Sequence, residues 1–412
     1  MAKNTVLATF WQGARLVLQF VYLVLVARVL GAEGYGLFSG IVALAASLSP
    51  LVGLGFGTVL VKEVSRAPHA FPGYWAKAIQ AVAVSAPIMA AGVFLLAYIL
   101  LPIGGYWLVV ILIAGAELVA MPFVTVGSQA YQAHEQLGRT MFNHVQMNLA
   151  RFAAIAILAV TGRDSLLEFT WAYFGATVLA AGLSLTQVRR TFGAPAWRQG
   201  GIGSQAREGL GFSLSVAAST AHGEIDKTLL LRLEGAAATG HYSLAARVVS
   251  AATTPLIAYI LATVPRLFRE GESGIAQTTR LALRLLPPIL LYGGLVALGI
   301  LACAPLLPLV FGPGFTAALP LLFWLAPLPF LIGISQLCLN VLSASGHQHM
   351  RVQHEGAALV CNVLMNLLLI PQRGAEGAAM AMLASQALLV VLPTITLYRL
   401  GRGDEACRGA KD

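Results

Sequence analysis

Gln12, Arg15 and Gln19 stand at i, i+3 and i+7 of a run that is otherwise almost wholly apolar from Val6 to Leu30. That spacing puts the three side chains on one face of a helix. A guanidinium there offers a rigid fork of N–H donors, the geometry that binds a phosphate or carboxylate through paired hydrogen bonds. The device recurs along the chain. His144, Asn148 and Arg151 follow at i, i+4 and i+7, and Glu117, Met121, Thr125 and Ser128 line another face. Ser215, Ser219, His222 and Asp226 make a longer stripe, with Glu224 and Lys227 elsewhere around that helix, and Ser243, Arg247, Ser250 and Thr254 share a face further on. A charge at the centre of a bilayer costs about 2.5–3.5 kcal/mol even on the gentlest scales, so such residues turn toward a bundle interior or a watery cavity. Plainer roles compete with this one. Ser, Thr and Asn in these stripes serve equally as hydrogen-bonding glue between helices, Arg247 can snorkel, and His222 can be a satisfied interior imidazole. Glu224 and Lys227, three residues apart, can neutralise one another. Arg15, Arg151 and Glu117 are harder to set aside, because each lies near mid-span with no evident local partner. The cationic set of Arg15, Arg151, Lys227 and Arg247, with Gln12 and Gln19, is therefore the candidate binding site for an anion such as a phosphate or diphosphate headgroup. Glu117, Glu224 and Asp226 are the candidate ion-coupling carboxylates.

The elements that must carry these stripes are membrane spans. Of the 412 residues, 58% are hydrophobic and 10% charged, where a soluble domain carries about 25% charged. About twenty apolar residues cross the roughly 30 Å of hydrocarbon in a bilayer. Twelve such runs are expected, at 6–30, 37–61, 77–101, 107–131, 143–161, 166–188, 209–233, 240–264, 281–302, 317–343, 353–371 and 375–399. Breaks fall at Gly31, Gly34 and Gly36, at Pro102, Gly104 and Gly105, at Gly312, Pro313 and Gly314, and at Pro371 with Gly374. The chain is thus read as an all-α polytopic membrane protein. Its net charge of +9 does not point to nucleic acid, because the arginines punctuate hydrophobic runs and form no basic patch with aromatics. The four cysteines have no CxxC spacing and no His at ligand distance, so no metal, cofactor or disulfide frame is expected.

Orientation follows from the basic residues. With the N-terminus inside, 18 Lys and Arg fall on inner segments, among them Lys62, Arg66, Arg139, Arg189, Arg190, Arg198, Arg266, Arg351 and Lys411; only Arg28, Arg163, Arg232 and Arg373 fall on outer ends. The positive-inside rule then places both termini in the cytoplasm. The longest connection, rich in Gly and Pro between Arg189 and Glu208, divides the chain into an N-terminal lobe at 1–195, a cytoplasmic linker at 196–208 and a C-terminal lobe at 209–412. The halves echo one another: Arg28-x-x-Gly31 with Tyr35 against Arg232-x-x-Gly235 with Tyr242, and Thr58-Val59 before Lys62 against Thr263-Val264 before Arg266. Six helices per unit would give parallel repeats about an axis along the membrane normal.

Three strings in order resemble the polysaccharide and O-antigen flippases of the multidrug, oligosaccharidyl-lipid and polysaccharide exporter superfamily. They are Ala27 to Gly36 after Arg15; Asp226-Lys227 followed by Gly235 and by Gly240 to Ala245; and Asn362 to Asn366, Pro371, then Gly374 to Ala379. The resemblance covers nearly the whole chain. It implies about twelve helices in two six-helix lobes around a central cleft drawn from the first, second, seventh and eighth, with Arg15, Asp226, Lys227 and Arg247 in or near it. It implies a sugar chain on a polyprenyl diphosphate as substrate, flipped to the outer leaflet of a bacterial inner membrane by alternating access, in association with polysaccharide polymerase machinery. Two features depart from sister branches: the chain lacks the two further helices and the additional cleft arginines of peptidoglycan-precursor flippases, and Glu117 is its only deep carboxylate in the N-terminal lobe, where drug-extruding relatives generally place carboxylates for cation coupling. A membrane polymerase or ligase is the rival from another class. Such enzymes need a sizeable outer loop with catalytic groups, and neither that loop, a nucleotide-binding loop nor a GxSxG string is present.

Overall fold

The computed structural model describes residues 2–101, 104–197, 203–271 and 274–409, and only the backbone of 2–9, 203–208 and 403–409. Pro102, Arg198 and Lys411 and the middle of the 196–208 connection lie outside the described residues. Among the described residues there are helices and turns and no strands.

Among the described residues, seven helices are long and apolar enough to cross a membrane, or eight when the bent pair Pro313–Leu325 and Leu328–Ala344 counts as one span. Two of the seven, Phe10–Arg66 and Gln348–Arg402, hold 57 and 55 residues. Continuous helices of that length would run to about 80 Å, far beyond one bilayer. Each is turned at a glycine in a conformation other residues avoid, Gly31 at φ 65° and Gly374 at φ 57°. Cutting there, and adding two helices whose polar residues keep them out of the apolar set, gives about twelve spans. They are α1 (2–30), α2 (32–66), α3 (Phe71–Leu100), α4 (Trp107–Ala133), α5 (Leu137–Val160), α6 (Leu166–Phe192), α7 (Gly203–Leu233), α8 (Ala236–Gly271), α9 (Ile275–Cys303), α10 (319–344), α11 (348–373) and α12 (375–409).

Several boundaries differ from the hydropathy reading, and proline explains two of them. That reading ends a helix at Pro371, yet the residue sits inside the helical stretch and the break comes at Gly374. Just past the kink, the carbonyl of Leu369 occupies the place a Cβ on Gly377 would need, so α11 and α12 touch immediately on either side of the turn. The second span is not one smooth helix. Between Leu48 and Phe56 it tightens into a 3-10 stretch, with Pro50 near its start and Gly53 and Gly55 at positive φ.

The chain divides into two compact units, Met1–Arg232 and Leu233–Asp412. In the first, small residues allow close approach: a Cβ on Gly40 would lie 2.6 Å from Cδ2 of Leu231, and Thr228 donates to the carbonyl of Gly40 at 3.1 Å, so α7 is fastened along α2. Asn143 is a second fastening. Its buried amide donates to Ser128 on α4 at 3.0 Å and to Ser184 on α6 at 2.8 Å, tying three helices together at one level. The core of the second unit gathers Leu256, Ile260 and Leu267 from α8, Ala282 and Ile289 from α9, Leu337 and Val341 from α10, and Leu397 from α12. Gly333 makes room there, since a Cβ would press on Ile289 at 2.5 Å. Polar ties run through this unit too, with Gln386 donating to Ser335 at 2.7 Å and Asn362 to Ser385 at 3.2 Å.

Candidate functional site

The α1 stripe comes first. Arg15 and Gln12 are half-buried and Gln19 is exposed. The Nε of Arg15 is buried without a hydrogen-bond partner. His144 of α5 lies within electrostatic reach of it, and Trp11 meets Phe142 edge-on at 5.0 Å, so this part of α1 lies along α5. A buried donor on a cation with nothing to bond is costly, and such sites are held open for a ligand or a water.

Arg151 and Glu117 have a different fate. Sequence alone shows no nearby partner for either; in the structure they are partners of one another. Arg151 Nη2 donates to Glu117 Oε1 at 2.9 Å, with side-chain exposures of only 11% and 12%. The Tyr173 hydroxyl donates to the same carboxylate oxygen, Arg151 Nε donates to Thr177 at 3.0 Å, and the guanidinium sits 4.1 Å above the ring of Tyr173. Tyr22 of α1 is within electrostatic reach of this group. Helix stripes describe one helix at a time, and this pair joins α4 to α5, 34 residues apart in sequence. The expectation of two unpartnered charges is therefore corrected to one internally neutral cluster. Its sequence signals are present but weak: Tyr173 and Thr177 are i and i+4 on α6, and Tyr22 extends the Gln12, Arg15, Gln19 stripe by three residues.

Local backbone geometry aims Glu117 inward. From Gly115 to Ala120 the α4 helix widens to a π-turn, and the N–H of Met121 bonds to the carbonyl of Ala116, five residues back. Pro122 accounts for the widening, because its ring has no N–H for Leu118 and crowds that carbonyl. Such bulges rotate the residues around them and concentrate at functional sites.

On α7, Lys227 donates to Glu224 at 2.6 Å and to the carbonyl of Gly223 at 3.3 Å, so the neutralised reading of that pair holds in the structure. Asp226 is 1% exposed, and one of its oxygens accepts the backbone N–H of Lys227 at 2.8 Å. His222 is buried close by in sequence. Arg247 stands exposed on α8, in the second unit, while Ser243 one turn before it is buried. The structure thus joins Arg151 to Glu117 and Lys227 to Glu224. It leaves Arg15 with an unsatisfied donor, and among the described residues no group of His, Cys, Asp or Glu is placed to hold a metal ion.

The sequence from residue 1 to 270 matches the model of a family described as polysaccharide biosynthesis protein. The chain belongs to this family. Its fold agrees with solved structures at low identity. An inward-facing multidrug resistance MATE family transporter of the MOP superfamily superposes at a TM-score of 0.74 and 14% identity, covering 96% of this chain and 99% of that one. The lipid II flippase MurJ in an inward closed conformation superposes at 0.77 and 10% identity, covering 95% and 87%. A point mutant of the MATE transporter VcmN of Vibrio cholerae superposes at 0.62 and 16%, covering 98% and 99%. No curated protein matches the sequence. This member of the polysaccharide biosynthesis family is a multi-pass membrane protein with the fold of the MOP superfamily transporters.

Proposed function

We propose that the protein flips a polyprenyl-diphosphate-linked oligosaccharide, a polysaccharide or O-antigen repeat unit, from the cytoplasmic to the outer leaflet by alternating access. The observation that carries this reading is Arg15, whose buried Nε has no partner and whose stripe-mates Gln12 and Gln19 add further hydrogen-bonding groups. A guanidinium held unsatisfied inside a membrane-spanning unit suits an anion that arrives and leaves. Family membership supplies the sugar-chain context. A fold shared with a lipid II flippase supports movement of a lipid-linked cargo. The 18-to-4 asymmetry of basic residues supports cytoplasmic termini in a bacterial inner membrane, where association with polymerase machinery would follow from the family's task.

Glu117 bears on the rival reading of an ion-coupled multidrug exporter. That reading needs a deep carboxylate free to take up a cation, and Glu117 is already engaged by Arg151 and Tyr173. The decisive test is transport of a fluorescent polyprenyl-diphosphate sugar by purified protein in vesicles. Arg15→Ala should abolish flipping at normal membrane abundance, and Arg15→Lys should restore only part of it, because a point charge lacks the paired donors. Normal flipping by Arg15→Ala would sink the assignment.

A further inference from the structure

At one end of the second unit, the turn from α7 into α8, the start of α10 and the α11–α12 kink line an open cavity of about 400 Å³. That size falls in the range of small-molecule sites, roughly 300–1,000 Å³. Its polar wall is Glu234, His241, Gln372, Arg373 and Glu376. Opposite charges line one cavity here, yet the side chains of Glu234, Gln372, Arg373 and Glu376 form no hydrogen bond or ion pair among the described residues. His241 is held in place: its Nε2 donates to the carbonyl of Gly314 at 2.9 Å and its ring meets Phe315 edge-on. That bond leaves Nδ1 as the ring's remaining polar atom. Gly374 keeps the cavity open, since a Cβ there would come within 3.0 Å of the Glu234 carboxylate.

We propose that this cavity is a binding site for a neutral glycosyl unit. Two carboxylates against one guanidinium give the lining a net charge of one negative, so a diphosphate or an acidic sugar would be repelled. A simple cation would meet Arg373 standing among the acids. A neutral ring of hydroxyls is different, because each hydroxyl both donates and accepts, and the wall supplies acceptors at Glu234 and Glu376, donors at Arg373 and both at Gln372. Pro320 and Pro371, both exposed, give apolar surface for the C–H faces of a pyranose. All three contributing segments are ends of spans, and the distribution of basic residues puts that end outside the cytoplasm. The site therefore takes the sugar portion of the flipped lipid where it leaves the protein; this assignment rests on the flippase reading above.

The test is binding by the full-length protein in detergent, read by saturation-transfer NMR and calorimetry, with methyl glycosides of hexoses, N-acetylhexosamines and hexuronates and with inorganic pyrophosphate as probes. Saturable binding of at least one neutral glycoside is expected, with no competition from pyrophosphate. Arg373→Ala and Glu376→Gln should each weaken it about tenfold, the loss of one hydrogen bond to a charged group. Glu376→Gln is isosteric and lies at a partly exposed position, so it reports on the site even if Arg373→Ala misfolds. No saturable glycoside binding, binding unaltered by both variants, or preference for hexuronates would overturn the proposal. Vesicle transport separates the two readings: glycoside binding without flipping by the wild-type protein would refute the flippase assignment and leave the sugar site standing.

Discussion

Breaking the Arg151–Glu117 pair should show whether this cluster is a fixed internal neutralisation. The proposed variants are Glu117→Leu, Arg151→Met and the two combined. In either single variant a charge about nine-tenths buried loses its counter-ion, a change that costs about 3–5 kcal/mol. Arg151 would keep its bond to Thr177 and its place above Tyr173, which places Glu117→Leu toward the lower end of that range. The double variant removes both charges. Thr177 still donates to the Tyr173 carbonyl, so the Tyr173 hydroxyl alone is newly orphaned, at about 1–3 kcal/mol. Two singles sum to about 6–10 kcal/mol, and the double should cost about 1–3, so the coupling is at least about 3 kcal/mol. Thermal unfolding of purified protein in a mild detergent measures it as a ranking. The double variant should melt above both singles, which fall by roughly 6–20 °C at about 2–4 °C per kcal/mol. Additive losses, or singles indistinguishable from wild type, would show that the contact carries no net interaction.

The Gly40–Leu231 contact predicts that Gly40→Ala, with a Cβ 2.6 Å from a Leu231 methyl, destabilises the first unit by about 1–3 kcal/mol, and that Leu231→Ala added to it recovers part of the loss; a neutral Gly40→Ala in the same melting assay would refute the packing. Cysteine placed at the exposed Gln19 should react with a membrane-impermeant maleimide in one transport state and be shielded in another, and labelling that never varies with substrate or ion gradient would argue against alternation. Voltage clamped with valinomycin should change the rate of flipping in vesicles more than proton or sodium gradients do. A rate indifferent to voltage and abolished by collapse of one cation gradient would instead make Asp226 or another span carboxylate an obligatory ion site.

The spans are legible because each carries its own apolar length. Gly31 and Gly374 are marked as breaks by residue type alone, and both adopt backbone angles that only glycine tolerates cheaply. Pro371 misleads because proline after a kink-free stretch usually ends a helix, while in a helical membrane protein neighbouring groups can absorb the missing bond. The stripes on single helices are equally visible, but what they touch is not. Asn148, part of the α5 stripe, only bonds back to the carbonyl of His144 on its own helix, whereas Asn143, outside the stripe, ties α4, α5 and α6. The Lys227–Glu224 pair can be read because three residues separate its members; the Arg151–Glu117 pair cannot, because its register is set by how α4 and α5 pack and by a π-turn that hydropathy does not report.

Internal pairing also shapes how the proposed transport would be driven. An ion pair held inside one unit moves no net charge across the membrane when that unit reorients, so Arg151 with Glu117 and Lys227 with Glu224 are electrically silent. The charges that remain to be moved are those of the cargo and of unpaired groups such as Arg15. Each charge crossing 100 mV is worth about 2.3 kcal/mol, and two negative charges leaving a negative interior gain about twice that. Arg15 travelling with the diphosphate would cancel roughly half of this gain. A site with one committed guanidinium and one uncommitted guanidinium is therefore better suited to an anion driven outward by potential than a site in which both were free, because each extra mobile cation would erase the force that moves the cargo.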